Sequence, residues 1–238
     1  MAARTAQRTR QATDTITEVQ SVTLVRNILR SSVSSIAYLR YLFPEDNFED
    51  TQLAGLKIKS LVPSSNPEVA AINNWLEKGV FDALEKHYLK AMVFSIFLNQ
   101  TIQPVYWKAT HLSSVTHQTI AFRWILQPIA QMASRILLLC QKSKIQQAWC
   151  TMIRTLITLS HTLPPLPSQR NLAMRLYYYE DVTPADYDPP GFDNASSDPD
   201  FEFIAETERI EVGGSVRTRH HAVSLRLDTA LGAIRERS

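Results

Sequence analysis

Asp186 and Asp188 flank Tyr187 in the stretch LYYYEDVTPADYDPPGF, residues 176–192, where a pair of carboxylates could be read as a general acid and base. That chemistry needs one carboxyl desolvated, so that its pKa rises towards the working pH. A proline-rich loop offers no apolar enclosure for it. The six histidines are scattered, and His220-His221 are adjacent, so a strand turns their rings to opposite faces, a poor geometry for zinc. Cys140 and Cys150 stand ten residues apart without matching histidines. They make neither a zinc site nor a disulfide framework, and their apolar helical surroundings suit buried free thiols. Six glycines leave little material for a phosphate-cradling loop. No catalytic residue, metal site or cofactor is expected, and a non-enzymatic binding module is favoured.

The same stretch suits a different task. NLAMRLYYYE, 171–180, alternates as a strand, with Leu172, Met174, Leu176 and Tyr178 on one face and Ala173, Arg175, Tyr177 and Tyr179 on the other. Beyond it, Thr183 can cap one short helical turn, with Pro184 at its first position and Asp186 reaching back. Asp188 precedes Pro189 and Pro190, which favours extended backbone. Three prolines remove three amide donors, so the segment cannot continue a sheet ladder. Tyr187 and Phe192 can pin it by burying their rings, with Tyr187 expected against the end of the first helix or the strand 171–179. The result is a stiff strap leaving a sheet edge. A plain pinned connector fits these residues too, but such a strap can also trap a peptide by strand addition.

The elements that must position the strap read as α+β. A first helix is expected over 16–43, opened by a Thr15/Glu18 capping box and ended by Pro44. The acidic residues 45–51 read as loop and 53–62 as a weak strand. A second long helix runs from the Asn66 cap to about 97, and a third from 146 to 162. Residues 99–145 show no clean period, although 129–140 could be helical. Residues 201–214 and 220–229 read as strands joined by a turn at Gly213-Gly214.

Net charge is +2, but residues 177–212 hold eleven acids and one base, leaving twelve acids and 24 bases for the rest. A basic body thus carries an acidic flap. The first fifteen residues hold no apolar run, so no secretory signal is expected, and charged, amide and proline residues interrupt 120–140, so no membrane span is expected. Residues 1–15 read as a disordered basic arm.

LYYYEDVTPADYDPPGF, together with SVSSIAYLRYLFPEDNF (32–48), NWLEKGVFDALEKHYLKAMVFSI (74–96) and CTMIRTLITLSHTLPPLP (150–167), closely resembles the HORMA domain of meiotic chromosome-axis proteins. The likeness covers 16–98 and 146–229; the family's aromatic strand after its second helix has no match in the atypical segment 99–145. The resemblance implies three long helices packed on a mainly antiparallel sheet over 16–230, and a safety belt, 177–230, that wraps a closure-motif peptide of an axis core protein or another HORMA protein. It also implies an AAA+ remodeller pulling on the N-terminal arm, a place on meiotic chromosomes in the nucleus with mostly indirect chromatin association, and roles in homologue pairing, synapsis and recombination. The short tail, 231–238, is not expected to carry its own closure motif. The peptide is expected to meet strand edges at 171–179 and 220–228. Its site would comprise Arg175, Tyr177, Tyr178, Tyr179, Asp181, Thr183, Pro184, Tyr187, Pro189, Pro190 and Phe192, with Val223, Leu225 and Leu227. A checkpoint or DNA-repair HORMA adaptor is the nearest rival. A weak non-specific DNA binder using Arg4, Arg8 and Arg10 is a third reading.

Overall fold

A computed structural model of the chain describes residues 16–97, 119–129, 142–167, 169–193 and 208–229. The basic arm, the tail and all but the first residue of the expected helix at 129–140 lie outside these residues. Helix α1, Glu18–Leu39, buries Val25, Ile28, Leu29, Val33 and Ile36, which recur at helical spacing along one face. Its capping box is formed by Thr17 and Gln20 rather than by Thr15 and Glu18. It ends at Arg40, four residues before Pro44. The Leu42 amide donates to Ala37 O and the Tyr41 amide to Tyr38 O, a Schellman cap with Tyr41 in the place glycine usually fills (φ 53°).

Of the residues 45–51 read as loop, Glu45–Asn47 form a 3-10 turn, while 48–51 belong to strand β1, Phe48–Leu53, paired with β2, Leu56–Leu61. Ala54 and Gly55, at φ 46° and 84°, make the two-residue turn. The acids of β1, Glu49 and Asp50, are consecutive and both exposed, so the strand shows no clean alternation, which is why composition hid it.

The second helical stretch begins as expected, with the Asn66 side chain capping and Pro67 in the first turn. It runs through α2, Pro67–Asn74, a wider π-helical turn at Trp75–Val80, and α3, Phe81–Glu85. It does not reach residue 97. His87 takes a positive φ in a second Schellman cap, and Leu89–Phe97 is strand β3.

Strand β4, Thr119–Pro128, falls inside the atypical segment, which therefore contributes a central strand. Helix α4, Lys142–Thr162, and strand β5, Asn171–Tyr178, match expectation closely. Strands β6, Glu208–Arg217, and β7, His221–Thr229, follow. Gly213-Gly214 is not their turn. It lies within β6, where 212–214 bulge opposite Leu225 alone, and the strands join through 218–220. A Cβ on Gly213 would stand 2.6 Å from the Met152 Cα of α4, so only glycine allows this approach.

The five-stranded antiparallel sheet has the order β5-β3-β4-β7-β6. The helices pack on one face. Trp124 of β4 is fully buried there and donates its indole N–H to Ser32 of α1 at 2.9 Å, while Trp149 of α4 reaches Ser31 at 3.2 Å. The sheet and helices thus share one core.

Candidate functional site

Among the described residues strand β5 is a sheet edge, with β3 on one side and no strand on the other. The chain leaving it must reach β6 at the opposite edge. Four inter-strand gaps of about 4.8 Å put that crossing near 19 Å. Residues 179–193 are its first part, and they are tied down from the start. The Tyr179 amide donates to Tyr88 O, and its hydroxyl donates to Leu126 O at 2.6 Å, closing the end of the sheet. The Thr183 hydroxyl donates back to Tyr179 O at 2.8 Å instead of capping a turn ahead of it. A single turn follows, with the Tyr187 amide bonded to Pro184 O.

Tyr187 is the anchor. Its half-buried ring meets Tyr88 edge-on at 4.9 Å and Tyr178 at 5.4 Å. Its hydroxyl donates to Asp82 Oδ2 at 2.7 Å, and the Lys86 ammonium lies 4.9 Å from the ring centre. Lys86 also pairs with Asp82 at 2.8 Å. Burial alone would raise the Asp82 pKa, but the hydrogen bonds from Lys86 and Tyr187 outweigh it and hold the carboxyl below its ordinary value. Burial, then the Asp82 bond, raises the Tyr187 phenol; burial with Asp188 and Asp82 pushes Tyr178 up to about 12. The ring meets the strand 171–179, as the sequence suggested, but its other support is α3 and not the first helix.

Pro189 is buried, and the backbone does not stay extended beyond it. The Phe192 amide closes a turn onto Pro189 O, with Pro190 and Gly191 (φ 85°) in the central places of a type II turn. This turn sets Phe192 against Gly79 so closely that a Cβ there would overlap the ring. Gly79 lies in the π-helical turn. A π-turn is rare and often found where a helix serves a site. Nothing in the sequence marks it, since an isolated glycine in a helical stripe reads as a packing detail.

The other expected site residues divide clearly. Arg175 and Tyr177 face the sheet side away from the helices, where the Arg123 guanidinium lies 5.6 Å from the Tyr177 ring. Tyr177, Arg123, Arg209 and Arg226 line a cleft of about 300 Å³ around the buried Asp228. Asp181, Pro184 and Pro190 are exposed on the strap. Strand β7 is paired on both sides, by β4 and β6, so 220–228 is not an edge. Val223, Leu225 and Leu227, each 1 % exposed, point into the core beneath the helices and cannot touch a peptide at an edge.

β6 is the sheet's other edge, but it is poorly suited to strand addition. Its bulge at 212–214 breaks the ladder, and Gly213 lies against α4. The regular edge, next to the strap, is β5. Among the described residues there is no cluster of His, Cys, Asp or Glu that could hold a metal ion, and no helix is long and apolar enough to cross a membrane.

The HORMA domain model matches residues 21–221. This chain belongs to the HORMA domain family. Its relatives include Meiosis-specific protein ASY1 of Arabidopsis thaliana, 32% identical over 91% of this chain and 37% of that protein. HORMA domain-containing protein 1 of Homo sapiens is 33% identical over 90% of this chain and 52% of its own length. The chain thus spans between a third and about half of these two proteins. Among solved structures, C. elegans HTP-2 bound to an HTP-3 closure motif superposes at TM-score 0.66 and 17% identity, over 90% of this chain and 87% of that one. A chain of the mitotic checkpoint complex matches at TM-score 0.59 and 16% identity, over 88% of this chain and 98% of that one. At these identities both structures establish a shared HORMA fold.

Proposed function

We propose that this HORMA domain is a non-enzymatic adaptor of the meiotic chromosome axis that captures closure-motif peptides of axis proteins at the open edge of β5, under the 179–193 strap. One observation carries the reading: a regular sheet edge, unpaired among the described residues, lies beside a strap pinned through Tyr187 and Phe192. The peptide adds a sixth strand, so main-chain bonds give affinity and alternate side chains give specificity. Residues facing away from the helices meet Arg175 and Tyr177, and the others meet the strap. The belt is the crossing from Tyr179 together with the β6–β7 pair. The name of Meiosis-specific protein ASY1 supports a role in meiosis, and the HTP-2 complexes with closure motifs support peptide capture. The finer roles follow from that class: support of pairing, synapsis and recombination in the nucleus, and reopening by an AAA+ remodeller acting on residues 1–15.

Peptides tiled across axis core proteins and HORMA tails of the same source test the reading by fluorescence anisotropy. A binding peptide should protect the amides of 171–178 from hydrogen exchange. Protection confined to β6, or peptide capture unaffected by a proline placed within 172–176, would overturn the site.

A further inference from the structure

We propose that the cleft between the C-terminal ends of α1 and α4 is a second binding site, which takes an acidic side chain of a partner polypeptide next to an apolar one. The cleft measures about 290 Å³, and its lining includes Arg40, Tyr41, Ser160, His161, Leu166 and Arg170, with no acidic residue among the described residues. Arg40 is only 6 % exposed. Its terminal nitrogens donate to the carbonyls of Ser160, Leu163 and Pro164, where they cap the negative end of α4. Its Nε, also buried, has no hydrogen-bond partner, and neither has the Oγ of Ser160, a residue 4 % exposed.

Buried donors are ordinarily paired, and a buried cation ordinarily has a counter-charge. Among the described residues no carboxylate pairs with Arg40, and desolvation alone lowers its pKa. The helix end answers part of this demand, but the orphaned Nε–H and hydroxyl ask for a further acceptor. A carboxylate supplies two oxygens and the missing charge. Tyr41 points to a polypeptide as its source. Its side chain is 89 % exposed, yet it holds the left-handed position of the Schellman cap that glycine would fill at no steric cost. In the free chain the ring gains nothing for that strain. Beside Leu166 and the prolines of the same wall it offers a seat for an apolar neighbour of the acid. The patch is too small and too apolar for a nucleic-acid backbone, which needs an extended basic track.

This site does not depend on the strap. The test is a titration of the full chain, followed by NMR through the Arg40 Nε–H resonance, with acetyl-Leu-Asp-Phe-amide, its Leu-Asn-Phe counterpart and inorganic phosphate. The Asp peptide should shift the resonance saturably and bind at least fivefold tighter than either other probe. Tyr41→Gly, which relieves backbone strain, should keep or raise the melting temperature yet weaken the Asp peptide at least fivefold. Tyr187→Ala should leave this binding unchanged, so failure of the strap reading would show separately. Equal binding of the Asp and Asn peptides, phosphate matching the Asp peptide, or Tyr41→Gly without effect on binding would each overturn the proposal.

Discussion

Tyr187 combines two edge-on ring contacts, a hydroxyl bond to Asp82 and a lysine over its face, so its loss removes more than area. Because the ring is half-buried, Tyr187→Ala should cost about 2–3 kcal/mol rather than the full core value. Tyr187→Phe keeps the ring and loses only the bond to a charged acceptor, about 1–2 kcal/mol. Hydrogen exchange at 182–192 checks both, and equal protection in all three proteins would refute the anchor. The sign of the pH dependence follows from Asp82. Its folded pKa is depressed, so its contribution is present above the ordinary carboxylate range, near pH 4, and is lost as pH falls through the folded value. A second residue-scale switch joins the two chain ends. The buried ring of His221 bonds Ser21 of α1 through Nδ1 at 2.8 Å and stacks on His87 at 6.0 Å. Burial lowers its pKa, His87 and His220 lower it further, and Glu18 opposes. Its contribution is therefore present above about pH 6.5 and is lost as pH falls through the folded value. Protection factors at 18–22 and 217–222, taken relative to the intrinsic exchange rate at each pH, should fall between pH 7.5 and 5 in the native chain, while His221→Asn should flatten that fall.

At the scale of elements, the bulge in β6 is a packing device. Gly213, at φ 70°, lets the strand pass against the α4 backbone at Met152. Gly213→Ala adds left-handed strain to a backbone collision and should cost about 3 kcal/mol. Gly214→Ala, which meets nothing within 4 Å, should cost only the strain, about 1–2 kcal/mol. Urea unfolding of the pair separates the two costs; equal losses would mean that contact with α4 is unimportant. The same scale shows why some elements were legible and others were not. Helices α1 and α4 present one apolar stripe each, and β5 alternates cleanly, so period alone found them. β3 is apolar on both faces, as a central strand is, and its residues continued the stripe of the preceding helix. The helix stops at His87 in a conformation usually marked by glycine, and no glycine is there. β4 escaped because its outward residues Ala121 and Ile125 are apolar too, which blurs the alternation of Ile120, Phe122, Trp124 and Leu126. The strap was legible because prolines and aromatics constrain the backbone locally. Gly79, its receptor, was not, since that role depends on a contact across the chain.

At the scale of the molecule, the segment that would act as a belt is also part of the core. β7 pairs with β4 along its length, and Val212, Val216, Val223, Leu225 and Leu227 are all buried among the core residues. Removing the strap by cutting the chain therefore differs from loosening it. Each of these five side chains contributes about 1.5–3 kcal/mol by burial. Together they match the whole stability of a typical domain, about 5–15 kcal/mol. Truncation after Asp193 also strips the β4 edge of its partner and leaves apolar side chains of β4 uncovered. That product should lose its cooperative thermal transition and its near-ultraviolet circular dichroism, while Tyr187→Ala keeps both. Peptide capture must then be compared between chains that fold: the native chain and Tyr187→Ala. The alanine variant should release a trapped peptide roughly tenfold faster or more, the factor that about 1.4 kcal/mol of lost anchoring sets. A truncated chain that unfolds cooperatively near the native temperature would show that β6 and β7 are dispensable to the core, and the belt could then be assigned by deletion after all.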